Sequence, residues 1–450
     1  MHHIFLTLLL LVFIIAPTNA SQPHHLKLIH EITLKNGLKI LIKEDHRAPI
    51  VVSMIWYNVG AADEPNGLHG VSHTLEHMMF KGTKQYPQGK FSKIIANIGG
   101  QENAFTNYDY TAYFEKVPAN KLSIALKLEA DRMRNLHIDQ ESLNKELQVI
   151  REERRLRTDN NPQALTFEHY MAIANLNSPY HYPIIGWMHD LKNLQLADVK
   201  AWYENFYAPN NATLVIIGDV TPNKAFKLAT HYFQTLPKRP TYMRKTQVEP
   251  RSLGTKTVQV NLPAKLPMII LGYTVPSIKT VTRYPEDIYA LTLIAGIFDA
   301  NESSRLTKNL IHQKNIASFI SVNYNLITRY QTQFIINAIP TQQSNNTMLL
   351  KAIQQEITNL KQHLVTTAEL ERVKTQIIAQ KTFDRDSVFI QAMELGILTT
   401  LNLNANQGHI DLEKIQTITS QQIQDTAKRY FNDNNLTIAY LNPQSLIIKK

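Results

Sequence analysis

The run His73-Thr74-Leu75-Glu76-His77 has the residue types and spacing to hold a metal ion and activate water beside it. A helix turns once in about 3.6 residues, so histidines four apart project from one face and can aim their imidazole nitrogens at one ion, about 2.0–2.1 Å away for zinc. Glu76 then stands beside the ion without having to bind it. From there its carboxylate can take a proton from a water whose pKa the ion lowers from about 15.7 toward about 7, leaving a hydroxide-like nucleophile at neutral pH. The order HxxEH inverts the commoner HExxH and assigns the same roles.

A catalytic zinc usually takes three protein ligands, so two histidines leave it one short. The best candidate is Glu153. It lies in Asp139–Arg157, a run of strong helix formers with an acid at its start and arginines at its end, as the helix dipole favours. Glu146 and Glu153 are seven residues apart, two helical turns, and share a stripe. One can bind the ion while the other orients a histidine or a water. The plainer reading of Glu146 is an exposed helix carboxylate paired with Lys145 or an arginine one turn away. His169, His181 and His189 form no further ligand spacing.

Such a site needs rigid elements around it. With 450 residues the chain suits two or more domains with large cores. It has no cysteine, which excludes disulfides, thiolate metal sites and a cysteine nucleophile, and leaves metal binding to His and carboxylate. The net charge of +10 is spread among acids, with no basic run interleaved with aromatics, so no nucleic-acid groove is expected. Ile4–Ala16 is an apolar stretch of signal-peptide length. Thr18 and Ala20 fit the small-residue cleavage rule, which predicts a leader over residues 1–20, cut after Ala20, and export to the periplasm. Secretion, or anchoring by an uncleaved leader, is the alternative, since the n-region lacks Lys and Arg. No other segment is apolar enough to span a membrane.

Further along, Leu34–Lys43 carries Asn-Gly between alternating residues and reads as a hairpin. Pro49–Tyr57 reads as a buried strand, strands follow around Ala104 and Tyr113, and helices run from Lys121 to Arg157. From Lys238 to Leu253 the chain turns to Pro, Lys, Arg and Thr, as a linker does. Val199–Asp219 also aligns without gaps to Ile423–Pro443 at an offset of 224, pairing Phe206 with Tyr430, Asn210 with Asn434, Asn211 with Asn435 and Thr213 with Thr437. The expected fold is therefore α+β: two duplicated domains, each a mixed or antiparallel sheet with helices on one face, enclosing a cleft. The boundaries are 28–238 for a metal-binding domain, 239–254 for the linker and 255–450 for the second domain. No HxxEH recurs in the second half, whose expected role is to wall the cleft.

Several stretches resemble the pitrilysin/insulinase-like metallopeptidases, which include mitochondrial processing peptidase. Gly67–Thr83 is similar to the family's zinc helix. Glu153 lies 76 residues beyond His77, where the family carries its third ligand, and His69 matches no ligand position. Asn103-Ala-Phe-Thr106 with Asp109, Thr111 and Tyr113 resembles the family's substrate-binding edge strand, and Tyr207–Asp219 the segment closing its first domain. The resemblance implies one zinc per chain held by His73, His77 and Glu153, with Glu146 orienting a ligand. It implies Glu76 as general base and substrate lying as an extended strand along Asn103 and Ala104. Peptide bonds in peptides or unfolded segments would be hydrolysed.

One departure bears on partners. Active relatives carry, after Ser-Ser-Arg-Leu, an Arg and a Tyr seven residues apart that hold substrate. Here Ser303–Leu306 is present, but the matching positions are Ile311 and Ser318, and the preceding Gly-rich stretch reads Phe298-Asp-Ala-Asn-Glu302. Ile has no donor, and Ser is too short to replace a phenol. The expectation is a zinc-bearing subunit completed by a homologous partner that supplies the Arg and Tyr, or a homodimer. The alternative is a non-catalytic scaffold that keeps the fold to hold peptides.

Overall fold

The computed structural model describes residues 28–240 and 244–445. The leader expected over residues 1–20 lies outside the described residues, as do 241–243 and 446–450. No described helix is long and apolar enough to cross a membrane.

The first half builds one six-stranded sheet. Its strands are β1 (Ile29–Thr33), β2 (Lys39–Glu44), β3 (Ile50–Tyr57), β4 (Gln101–Thr106), β5 (Thr111–Pro118) and β6 (Ala212–Gly218), in the order β1-β2-β6-β3-β5-β4. Its helices are α1 (Val71–Met78), α2 (Lys90–Asn97), α3 (Leu122–Asn135), α4 (Gln140–Arg154), α5 (Pro162–Ala174), α6 (Met188–Asn193), α7 (Leu196–Phe206) and α8 (Pro222–Phe233). The second half forms a five-stranded sheet from β7 (Lys256–Pro263), β8 (Met268–Val275), β9 (Ala317–Asn323), β10 (Thr332–Pro340) and β11 (Leu436–Gln444), in the order β7-β11-β8-β10-β9. Its helices are α9 (Asp287–Asp299), α10 (Asn346–Gln362), α11 (Thr367–Asp384), α12 (Val388–Thr400), α13 (Gln407–Thr417) and α14 (Ser420–Tyr430). The Asn-Gly hairpin joins β1 to β2 and pairs Thr33 with Lys39. Between Phe233 and Lys256 no helix or strand is described.

The two sheets repeat one topology once β1 is set aside. In each, the last strand in sequence inserts beside the first and runs parallel to it: β6 beside β2, β11 beside β7. The repeat at offset 224 is the turn that feeds this strand. Asn211 Nδ2 donates to Phe206 O (2.9 Å) and Asn435 Nδ2 to Tyr430 O (3.0 Å), each tying the turn to the helix before it. The carbonyls of Asn211 and Asn435 then accept from Asn58 N and Thr274 N, both at 2.9 Å. An Asn side chain that closes its own turn explains why these positions match while their surroundings diverge.

Each half's own helices cover one face of its sheet, as expected for α+β. The opposite face is closed by exchange. From the second half, α12 lies on β3 and β6 and buries Val52, Met54, Trp56, Val215 and Ile217 against Ala392 and Leu395. From the first half, α5 lies on β7, β8 and β11 and buries Ile270, Ala439 and Leu441 against Tyr170 and Ala174. This accounts for β3, where Val51, Ile55 and Tyr57 face one core and Val52, Met54 and Trp56 the other, so that both faces are apolar. Glycine allows the close approach in both places. A Cβ on Gly396 of α12 would stand 1.9 Å from the Trp56 ring, and one on Gly272 of β8 would stand 1.5 Å from the Tyr170 hydroxyl. Polar ties seal the seam. Arg329 in the β9–β10 connection reaches Asp63 (3.0 Å) and the Asp109 carbonyl (2.6 Å), and Arg244 joins it on Asp63.

Candidate metal centre

α1 carries the HxxEH residues on one face and the core on the other. Val71, Leu75 and Met78 are buried, while His73, Glu76 and His77, at i, i+3 and i+4, line an open cavity of about 970 Å³. The start of α1 is fixed by a buried acid. Glu64 accepts from Gly70 N (2.7 Å) and Ser72 N (2.8 Å), which satisfies two amide donors left open at a helix N-terminus. Burial pushes the Glu64 carboxyl up to about 8, although those two hydrogen bonds oppose it. Gly70 has φ +95°, and a Cβ there would strike the Ile185 carbonyl at 2.6 Å.

The third group arrives on α4. Its N-cap, Asp139, accepts from Ser142 N (2.8 Å), and Leu143, Leu147 and Ile150 pack inward. Glu153 Oε2 comes to 3.8 Å from His73 Nε2 and 3.5 Å from His77 Nε2. Two ligands of a tetrahedral zinc, each about 2.0–2.1 Å from it, sit about 3.3–3.5 Å apart; both Glu153 separations are near that value, and ligand atoms of all three residues lie within 4.8 Å of one another. Among the described residues, these three are the one group of His and carboxylate donors converging in this way. His73 Nδ1 is buried and finds no partner among the described residues.

Glu146, two turns before Glu153, is buried rather than exposed. Its Oε2 lies 3.1 Å from His77 Nδ1, and its Oε1 pairs with Lys81. Lys145, the partner of the plainer reading, pairs with Glu141 instead. A carboxylate on the far nitrogen fixes the tautomer that presents Nε2 to a metal. Arg154, next to Glu153, is buried, makes a two-point pair with Glu168 of α5 (2.8 Å each) and donates to Gly186 O (2.9 Å). The helix end bearing Glu153 is thus tied to the helix that covers the other half's sheet. Beyond Arg154 the helix widens into a π-turn over Arg155–Asp159, a feature that often marks functional sites.

With the protein's own groups alone, the site is electrostatically divided. Burial, then the neighbouring His77, pushes His73 down to about 4, which leaves it neutral at physiological pH. Burial also pulls on His77, but Glu153 and Glu146 outweigh it and hold His77 above its ordinary value. The hydrogen bond with His77 holds Glu153 below the usual carboxylate range. Burial raises Glu76 above that range, opposed chiefly by the Thr106 hydroxyl, which donates to Glu76 Oε2 at 2.5 Å. A carboxylate raised in this way accepts a proton more readily, as a general base must.

Asn103 and Ala104 lie on β4, the edge strand of the first sheet, which pairs only with β5. Both line the cavity, and Ala104 N donates to Asn103 Oδ1 (2.9 Å). The part of the cleft that the second half walls is a chamber beside the triad's own cavity. Every residue lining the cavity around the triad comes from the first half. The second half reaches only an adjoining chamber of about 550 Å³ between the halves, which shares Tyr108 and Met171 with it. Ile311 packs against the second core, and Ser318 on β9 bonds Ile339 O (3.2 Å). His69 Nδ1 pairs with Asp190 (2.7 Å) and faces no other donor of the triad. Sequence reasoning placed Thr106 on the edge strand but missed its bond to Glu76, and it gave no role to Arg157. Arg157 Nη1 lies 2.7 Å from Glu153 Oε1, and its only sequence signal is the i, i+4 spacing.

The comparisons agree with this architecture. Residues 39–186 match the family model described as Insulinase (Peptidase family M16), and residues 193–377 match that of the Peptidase M16 inactive domain. The chain is 32% identical over 429 residues to the zinc protease PqqE of Helicobacter pylori, covering 92% of this chain and 93% of that one. It is 23% identical over 422 residues to the mitochondrial-processing peptidase subunit beta of Lentinula edodes, covering 90% and 88%. Among solved structures, a protease from Helicobacter pylori superposes with a TM-score of 0.88 at 29% identity, covering 93% of this chain and all of that one. The periplasmic protease PqqL of Escherichia coli shares the fold at a TM-score of 0.77 and 18% identity; the match covers 95% of this chain but 49% of that one.

Proposed function

The chain belongs to the insulinase family of peptidases, M16, and we propose that it is a zinc-dependent metalloendopeptidase acting on peptides or unfolded segments. The observation that carries the reading is that ligand atoms of His73, His77 and Glu153 lie within 4.8 Å of one another, with Glu76 lining the same cavity. These three residues would hold one zinc, which when bound supplies an activated water and polarises the scissile carbonyl. Glu146 holds His77 in the metal-binding tautomer. Glu76 takes the proton from the water and delivers it to the leaving amine. Thr106 fixes the Glu76 carboxylate at the end of the edge strand, so base and substrate register are set by one hydrogen bond. Substrate adds to β4 as an extended strand along Asn103 and Ala104, and the Asn103 side chain gives up the Ala104 N–H to the incoming backbone.

Because Ile311 and Ser318 have no group to replace the Arg and Tyr, those substrate contacts are assigned to a homologous partner subunit or a second copy. This chain matches about half of the PqqL chain, which leaves room there for a second unit of similar size. The reading includes the leader expected over residues 1–20 and, with it, a periplasmic location. Metal analysis of the purified chain, then cleavage of a quenched peptide with and without chelator, and with and without a homologue lacking HxxEH, tests the reading. The expected result is one zinc per chain, and cleavage that chelator abolishes and the partner enhances. Zinc without cleavage under any of these conditions would favour the scaffold alternative. Full activity of the isolated monomer would remove the need for a partner.

A further inference from the structure

The cavity beside the triad has an uneven chemistry. One wall is apolar, formed by Val149, Ala164, Phe167, Met171, Ile184 and Ile185. Of the charged residues on its lining, Glu76 and Glu153 belong to the metal centre, and Glu168 is neutralised by buried Arg154. His181, with its ring Nδ1 on Asn175 O (3.1 Å), is held by burial below its ordinary pKa and is neutral at physiological pH. With His73 and His77 given to the metal centre, that leaves Arg157 as the cationic side chain of the cavity among the described residues. Its side chain is 76% exposed and stands where the π-turn leaves α4, at the rim between the cavity and the outer groove along Val149, Glu152 and Leu156.

Arg157 touches the metal centre from outside. Glu153 divides its two oxygens, Oε2 toward the histidines and Oε1 toward Arg157 at 2.7 Å. A guanidinium presents five donors in a planar fork, and one contact to Oε1 leaves most of them turned to the open rim. With a metal held on Glu153, that carboxylate would have less charge to offer Arg157, and the fork would be available to a second carboxylate entering the cavity.

We propose that Arg157 is a specificity-determining residue that selects a substrate carboxylate close to the scissile bond, either an Asp or Glu side chain or the free C-terminus of a short peptide. This rests on the metallopeptidase reading above for what enters the cavity, but it can be tested without turnover. A solvent-facing charge contributes modestly, so the preference expected from it is about tenfold in affinity for a carboxylate over its neutral amide.

The experiment uses the zinc-loaded full chain carrying Glu76→Gln, which binds but does not cleave, and fluorescent peptides read by anisotropy. The peptides share one Leu/Ala frame and differ by Glu against Gln at each position in turn, and by a free against an amidated C-terminus. The ratio of carboxylate to amide affinity is measured with and without Arg157→Gln, with zinc content determined alongside. The expected result is a ratio of about ten that falls toward one in Arg157→Gln and is partly kept in Arg157→Lys, which retains the charge but not the fork. Whether the ratio follows the side chain or the C-terminus identifies the source of the carboxylate. A ratio unchanged by Arg157→Gln overturns the proposal. So does a uniform weakening toward all peptides with the ratio intact, which would confine Arg157 to holding Glu153. Failure of the parent chain, with Glu76 intact, to cleave these peptides while the ratio behaves as stated would count against the peptidase reading alone.

Discussion

Glu146→Ala is expected to weaken zinc binding while leaving all three ligands in place. Glu146 Oε2 lies 3.1 Å from His77 Nδ1, and the side chain is 11% exposed, so water can only partly take its place. Losing the partner on the far nitrogen of a metal-bound histidine typically costs about 10–100-fold in affinity, or about 1.4–2.7 kcal/mol. Here the loss should fall in the upper part of that range, because Lys81, itself only 16% exposed, loses the carboxylate that neutralises it and stands as an uncompensated cation close to the ion. Glu146→Gln keeps an acceptor for the imidazole N–H and should cost about tenfold or less. Lys81→Ala in the Glu146→Ala background should recover part of the loss, which a double-mutant cycle would measure. The assay is competition against a chromophoric zinc chelator near neutral pH. Affinity of Glu146→Ala within about twofold of the parent, well below the floor for such a partner, would refute the role given to Glu146.

Three further outcomes follow from the packing and the buried charges. Glu64, pushed by burial from an ordinary 4.5 to about 8, binds more protons folded than unfolded, so its contribution to stability is present at low pH and lost as pH rises through that window. Urea midpoints between about pH 5 and 8 should therefore fall less steeply for Glu64→Gln than for the parent, and coincident slopes would contradict this. Arg329→Ala leaves Asp63 and Asp109 short of a buried partner and should cost about 3–5 kcal/mol in urea unfolding, toward the lower end because Arg244 still holds Asp63; a loss below about 1 kcal/mol would count against the seam. Gly396→Ala gains about 1 kcal/mol of helix propensity but drives a methyl into Trp56, a clash costing about 1–3 kcal/mol or more, so its melting temperature should drop rather than rise.

How much was legible in the sequence follows from how local each feature is. His73, Glu76 and His77 share a face because one short helix dictates it, and Glu146 and Glu153 share a stripe for the same reason. The duplication was legible because Asn211 and Asn435 close the same turn with their own side chains, a constraint independent of the rest of the fold. The exchange of α5 and α12 was not. Val388–Thr400 is largely apolar, but nothing in its pattern says that its partner is Trp56, some 340 residues earlier, on the other half's sheet. Gly272 and Gly396 are likewise interpretable only once the aromatic each admits is known. The cavity walls escaped for a related reason. Thr106 and Arg157 matter through where β4 and the π-turn end, and the second half's absence from the cavity depends on how the halves are set against each other.

The central claim is that Glu76 moves protons beside a zinc held by His73, His77 and Glu153. The most direct measurement is made on Glu76→Gln: zinc content and peptide hydrolysis determined on one preparation, next to the parent under conditions where the parent cleaves. The account predicts one zinc per chain in both and hydrolysis lost in the variant. Hydrolysis retained by the zinc-loaded Glu76→Gln chain would contradict it.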